Sequence, residues 1–244
     1  MEITLATIGT AGRKEDGNHL TRKHFEAACI VARGLIEQLN ESNYTITTMV
    51  SGGAAYMDHI AVKLFLDKTV SNLRLFIPAE WNNGEFYDTG VKDTKENPGG
   101  TANYYHRKFQ STTNINGLSD IQIAKANGAE LYKCRGGFHG RNAMVAKSDF
   151  ILACTFGEGP IVKEGGTADT IRMYLERVRK EGIFDKSFHY NLADGKIYEG
   201  CKVPPPSEMD KARAAARQPW VQNIHPGAFA MHSYPPWLNR CLDF

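Results

Sequence analysis

Glu2-Ile3-Thr4-Leu5-Ala6-Thr7-Ile8-Gly9 is a run of branched and apolar residues stopped by a glycine, which reads as a short buried strand. The next seventy residues decide the fold to which that strand belongs. Phe25, Ala28, Cys29, Ala32, Leu35, Ile36 and Leu39 recur at helical spacing, behind a Thr21 whose hydroxyl suits an N-cap. Residues 44–50 read as a second strand, broken by Ser51-Gly52-Gly53. Met57, Ile60, Ala61, Leu64 and Phe65 then describe a second amphipathic helix, and residues 73–77, stopped by Pro78, a third strand. Strands alternating with helices in this order are expected to lie parallel, joined by helical crossovers.

The pattern therefore predicts an α/β fold, a Rossmann-like open parallel sheet with helices on both faces. From 79 to 116 the periodicity dissolves into glycine, asparagine, aromatics and charge, and a long insertion loop is expected there. Tyr104, Tyr105, His106 and Phe109 suggest a short packed helix inside it. Further on, residues 120–127 read as a helix and 150–155 as a buried strand. Residues 167–180 read as a helix, by the spacing of Ile171, Tyr174, Leu175 and Val178, and 187–192 as a last strand. Beyond 200 the composition changes. Pro204-Pro205-Pro206 precedes a capping-box-like Ser207-Glu208-Met209-Asp210, with Trp220, Tyr234, Pro235, Pro236 and Trp237 further along. The expected division is a Rossmann-like domain over 1–199 and an irregular, aromatic and proline-rich C-terminal arm over 200–244. The arm either docks on the domain or on a neighbouring subunit, or is a disordered tail.

Composition excludes several classes. The chain has 244 residues, 42% of them apolar and 23% charged, which is ordinary globular usage. A net charge of +2 is too small for a general nucleic-acid coat, so nucleic acid is not the expected partner. No apolar run is long enough to span a bilayer, and the first residues lack the basic region of a secretory signal, so a cytoplasmic setting is expected. Cysteines 29, 134, 154, 201 and 241 form no C-x-x-C pair, and the histidines show no ligand spacing, so neither a metal nor a cofactor is expected.

Any chemistry should sit where an open α/β sheet leaves its crevice, at the carboxyl ends of the strands. Three small-residue loops fall there. In Gly9-Thr10-Ala11-Gly12-Arg13 the small residues allow close backbone approach, and Arg13 supplies a positive fork; a plain tight turn is the rival reading. Ser51-Gly52-Gly53-Ala54 leads into a helix whose free N–H groups favour an anion. Asp58 in that helix bonds either a hydroxyl, a facing loop, or only its own helix start. Gly165-Gly166-Thr167-Ala168-Asp169 opens another helix, where Asp169 is either a functional carboxylate or a dipole partner. Trp81, with Glu80 and Glu85, is placed to stack on a base or else to pack as core.

At these residues the sequence resembles the SLOG superfamily, which includes the lonely-guy phosphoribohydrolases, the DNA-processing protein A family and nucleotide-sensing domains. The likeness spans roughly residues 3–192. Ile8 to Arg13 is similar to the family's first loop, and Ser51-Gly52-Gly53-Ala54 with Asp58 to its Ser-Gly-Gly-Ala signature and downstream aspartate. Arg141-Asn142-Ala143-Met144 resembles the lonely-guy Met-x-x-Arg-Lys-x-x-Met segment. Gly165 to Asp169 stands where that family has Pro-Gly-Gly-x-Gly-Thr-x-Glu-Glu. The proline and one glycine of that motif are missing, Asn142 replaces a lysine, and Asp169 replaces the first glutamate.

The resemblance implies a nucleotide or nucleotide-derived phosphorylated ligand and a homo-oligomer. In the hydrolase branch it implies cleavage or transfer at an N-glycosidic bond, with Arg141 as cation and Asp169 as the carboxylate that stabilises oxocarbenium-like charge or activates water. Gly9, Thr10, Gly12, Arg13, Ser51, Gly52, Gly53, Asp58, Asn142, Gly165, Gly166 and Thr167 would surround the ligand. A non-catalytic sensor or sequestering protein for a nucleotide signal is the alternative, and a nucleic-acid-handling module a third.

Overall fold

A computed structural model describes residues 3–205. The expected helix start at Ser207, the fifth cysteine, Cys241, and the aromatic stretch from Trp220 to Trp237 lie outside the described residues. β1 (Ile3–Gly9) runs into a loop holding a single helical turn, α1 (Asp16–His19), and then α2 (Arg22–Glu41) and β2 (Ile46–Ser51). A 3-10 turn over Tyr56–His59 continues as α3 (Ile60–Leu66), succeeded by β3 (Asn72–Ile77). Next come a small hairpin, β4 (Trp81–Asn82) with β5 (Glu85–Phe86), then α4 (Pro98–Thr113), α5 (Gly117–Ala126), β6 (Glu130–Lys133) and α6 (Gly137–Val145). The series ends with β7 (Phe150–Thr155), α7 (Gly166–Glu181), β8 (Ser187–Asn191) and β9 (Lys196–Glu199).

The main sheet has the order β6-β3-β2-β1-β7-β8-β9. Every pairing in it is parallel except the last, where β9 turns back along β8. This is the Rossmann-like open sheet that the strand–helix alternation predicts, with one antiparallel edge strand added. Helices cover both faces because the central strands are apolar on both. Leu5, Met49, Leu75, Leu152 and Cys154 face a core built with α2, α3, α4 and α5. Ala6, Ile8, Val50, Ile151 and Ala153 face the other, built with α6 and α7. β7 is buried along its whole length. A strand sealed on two sides must read as a near-continuous apolar run, and this one does.

Thr21 caps α2, accepting the backbone N–H of His24 at 3.4 Å, as the sequence predicts. Residues 79–116 do not form a long loop. They fold into the hairpin and a helix of 16 residues, capped by Asn97 with Pro98 in its first turn. Asn103 explains how the hairpin is held. Buried on α4, its side chain accepts the Phe86 N–H at 3.0 Å and donates to the Phe86 carbonyl at 2.8 Å. Trp81 packs edge-on against Phe86 and donates its indole N–H to Gln122 at 2.8 Å, so it belongs to the core.

Among the described residues no helix is long and apolar enough to cross a membrane. The cysteines described (29, 134, 154 and 201) are free thiols.

Candidate functional site

From β1 the chain steps outward through β2 and β3 to β6, then returns to lay β7 on the other side of β1. At β1 and β7 the crossovers therefore leave in opposite directions, and the crevice beyond their carboxyl ends is the topological switch point of the sheet. The loops after β1, β2 and β7 are the three small-residue loops singled out by sequence.

The first two loops are tied together from beneath. Asp58, buried in the 3-10 turn, accepts the Gly9 N–H at 3.2 Å and also takes backbone N–H groups of Gly52 and Ala54. Ser51 turns inward. Its hydroxyl donates to the Asp58 carbonyl at 2.7 Å and accepts the Gly53 N–H at 3.1 Å. A Cβ on Gly9 would run into the Cys154 carbonyl and stand 2.5 Å from the Met57 Cβ, so β1 and β7 approach here only because the residue is glycine. Of the readings open for Asp58, the geometry fits the one in which it bonds a facing loop.

Arg141, on α6, meets this knot from the other face of the sheet. Its guanidinium donates to the Gly52 carbonyl at 3.1 Å and to Asn142 Oδ1 at 3.2 Å, and stands 3.9 Å from the Asp58 carboxylate. Burial pushes the Asp58 carboxyl up; Arg141 and the backbone donors oppose that. Burial likewise pushes Arg141 down, with Asp58 holding it up and Arg13 adding to the depression. A guanidinium keeps its proton under such pressure, and its charge offsets part of the desolvation that burial imposes on the Asp58 carboxyl.

Arg13 stands at the mouth of the crevice, exposed, its guanidinium carbon 5.0 Å from the Phe138 ring centre and 5.2 Å from that of Tyr105. Arg141 lies 5.2 Å from the same Phe138 ring. Two cations thus share one aromatic ring, and among the described residues no carboxylate pairs with Arg13. Lys108 of α4 closes the first loop from the side, donating to the Gly12 carbonyl at 3.4 Å.

The third loop adjoins this edge through Asn142, whose amide donates to the Gly166 carbonyl at 3.3 Å. Gly165 has φ of 128°, open to glycine, and α7 begins there with no side-chain cap on its first N–H groups. Thr167 is half-buried on that first turn. Asp169 is half-exposed and paired with Arg172 at 2.9 Å. Arg172 also grips both oxygens of Glu164 at 2.9 Å and the Pro204 carbonyl at 3.1 Å.

Two further residues at the switch point escape the sequence. Asp16, buried in α1, receives the Thr10 hydroxyl on one oxygen and the Lys163 ammonium on the other, each at 2.5 Å. Asp16 sits in the run Arg13-Lys14-Glu15-Asp16, which reads as a solvated charged stretch, and nothing local marks its partner 147 residues away. His106 is a third. Buried on α4, it donates Nε2–H to the Gly53 carbonyl at 3.1 Å, and burial pushes its pKa down to about 3. Glu80 and Glu85 pair with Lys133 (3.6 Å) and Arg107 (2.9 Å). No group of His, Cys, Asp and Glu able to hold a metal ion occurs among the described residues.

The chain is 34% identical over 171 residues to "Uncharacterized protein R261" of Acanthamoeba polyphaga mimivirus, a match covering 69% of this chain and 89% of the relative. The chain belongs to the same family as that protein. No protein-family model and no solved structure matches it.

Proposed function

We propose that the crevice binds a nucleotide or nucleotide-derived phosphorylated ligand, as its likeness to SLOG-type proteins implies, and that the protein cleaves or transfers at the ligand's N-glycosidic bond. The observation that carries the binding reading is the pair of guanidiniums on Phe138, beside an uncapped helix start. Arg141 is fixed by Gly52 and Asn142, so its orientation costs little on binding. Arg13 brings a second fork with no competing carboxylate among the described residues. Planar forks and free helical N–H groups are the donors that a phosphate oxygen fits best.

The catalytic half of the proposal assigns the sugar-facing carboxylate to Asp169. Its first-turn position and half-exposed side chain support that role. Its ion pair with Arg172 favours a second reading, a sensor that binds the nucleotide and leaves it intact. One experiment separates them. The protein is incubated with nucleoside 5′-monophosphates, released base is tracked by chromatography, and binding is measured by calorimetry. Base release that Asp169→Asn abolishes while binding survives supports the enzyme. Binding without release supports the sensor, and absence of both rejects the proposal.

A further inference from the structure

The switch point between β1 and β7 is spanned by one carboxylate. Asp16 hangs from the loop after β1, and Lys163 from the loop after β7. Thr10, the residue next after β1, is anchored to β7 by its N–H on the Cys154 carbonyl at 3.1 Å and gives its hydroxyl to Asp16. Lys163 is anchored to β7 as well, its N–H on Thr155 Oγ1 at 3.0 Å, and that hydroxyl is shared with His189 at 2.9 Å. The carboxylate is thus held between two fixed donors. Its side chain is 10% exposed, while that of Lys163 is 40% exposed.

An ionised carboxylate offers about four acceptor positions on its two oxygens. Among the described residues two donors reach Asp16, one per oxygen. The unused positions accept hydrogen bonds and cannot give them. A phosphate oxygen, itself an acceptor, finds no donor at those positions. A hydroxyl is welcomed, because it donates. The β1–β7 edge thus presents guanidiniums at Arg13 and Arg141 and, over the β1–β7 gap, an oriented carboxylate whose charge is met by Lys163.

We infer that Asp16 is a specificity-determining residue that accepts hydrogen bonds from the sugar hydroxyls of the ligand, selecting a ribonucleotide over its deoxy counterpart. The inference rests on the nucleotide reading of the crevice. Thr10 and Lys163 act as positioning residues, fixing the carboxylate so that a vicinal diol meets it without rearrangement. Sites built to pair a ligand hydroxyl discriminate strongly against the analogue that lacks it, since the buried acceptor is then left unpaired.

The test is a set of affinities rather than one. Ribonucleoside 5′-monophosphates and their 2′-deoxy and 3′-deoxy analogues are titrated into the wild-type chain and into Asp16→Asn by calorimetry. The wild type is expected to prefer a ribonucleotide by about tenfold or more over at least one deoxy analogue, the ratio that a hydrogen bond to a charged acceptor gives. In Asp16→Asn the preference should shrink to within about twofold. A merely structural carboxylate would lower both affinities together and leave the ratio alone. Equal wild-type affinities for ribo and deoxy forms overturn the inference while the nucleotide reading stands, and they do so even if the variant fails to fold. An unchanged ratio in a folded Asp16→Asn overturns it too. Failure of every nucleotide to bind rejects the nucleotide reading first, and this inference with it.

Discussion

His106 makes the fold sensitive to acid in a way that can be isolated. Its ring is buried, and burial is the chief cause that pushes its pKa from 6.5 down to about 3; repulsion from the His59 ring and from Arg141 adds to it, and the Gly53 hydrogen bond and Asp120 oppose it. The folded state thus holds a neutral imidazole that the unfolded chain protonates below pH 6.5. A base depressed on folding contributes stability that is complete above its unfolded pKa and is lost as pH falls. Between 6.5 and about 3 the gap, at about 1.4 kcal/mol per pH unit, caps the loss at roughly 5 kcal/mol. At pH 5 only the first part of that gap has been crossed, and the loss is about 2 kcal/mol. His106→Gln keeps a donor for the Gly53 carbonyl and cannot take up a proton. Urea unfolding of both proteins at pH 7.5 and pH 5 isolates the contribution, because every other titrating group is common to them. The wild type should lose about 2 kcal/mol more than the variant on acidification. Equal losses in the two proteins would refute the burial argument for His106.

Three other perturbations have worked outcomes. Asn103→Leu strands both the N–H and the carbonyl of Phe86 in a buried setting, and should lower unfolding free energy by about 2–4 kcal/mol, read by urea titration. Arg141→Met leaves the Asp58 carboxylate buried without its cation, at a cost of about 3–5 kcal/mol at neutral pH. Because the folded Asp58 pKa is already raised, that deficit should shrink as pH falls, and Asp58→Asn in the same chain should recover part of it, both read by thermal melts. Gly9→Ala drives a methyl into the Cys154 carbonyl and should separate β1 from β7 at the crevice, lowering the melting temperature and weakening nucleotide binding together.

The strands that build the centre of the sheet were legible because each is a short branched run with a glycine or proline at its end. β6 and β9 escaped because they are short edge strands, with alternation blurred by exposure. α6 escaped because it begins at Gly136 and Gly137, both with positive φ, and paired glycines read as a break. The helix inside 79–116 is readable only as a short packed piece around Tyr104–Phe109, and its full length over Pro98–Thr113 escaped for a different reason. Its buried positions include Asn103, His106 and Thr113, polar side chains that serve the backbone of neighbouring elements, and a pattern of apolar spacing cannot register them. The start signal was nonetheless present in Asn97-Pro98, ahead of two glycines that obscured it.

The candidate site divides along the same line. That the loops after β1, β2 and β7 share one edge is a consequence of parallel strands alone, since every crossover returns the chain to the opposite edge before the next strand begins. Gly9, Ser51 and Gly165 are therefore placed on one edge by the sequence alone. Which side chains clasp one another across that edge could not, because the order of strands in space differs from their order in the chain. β7 lies beside β1 only after β2, β3 and β6 have been laid down elsewhere. Lys163 on Asp16 is a direct consequence of that insertion, while Asp58 on Gly9 ties the neighbouring ends of β1 and β2, and Arg141 on Gly52 ties α6 to the loop after β2. Each joins segments that no local pattern connects, and each uses a charged group as an internal fastener whose loss leaves its partner buried and unpaired. The selectivity assigned to Asp16 and the acid sensitivity of His106 both originate in polar residues drawn inward by tertiary packing rather than in the glycine motifs that mark the site in the sequence.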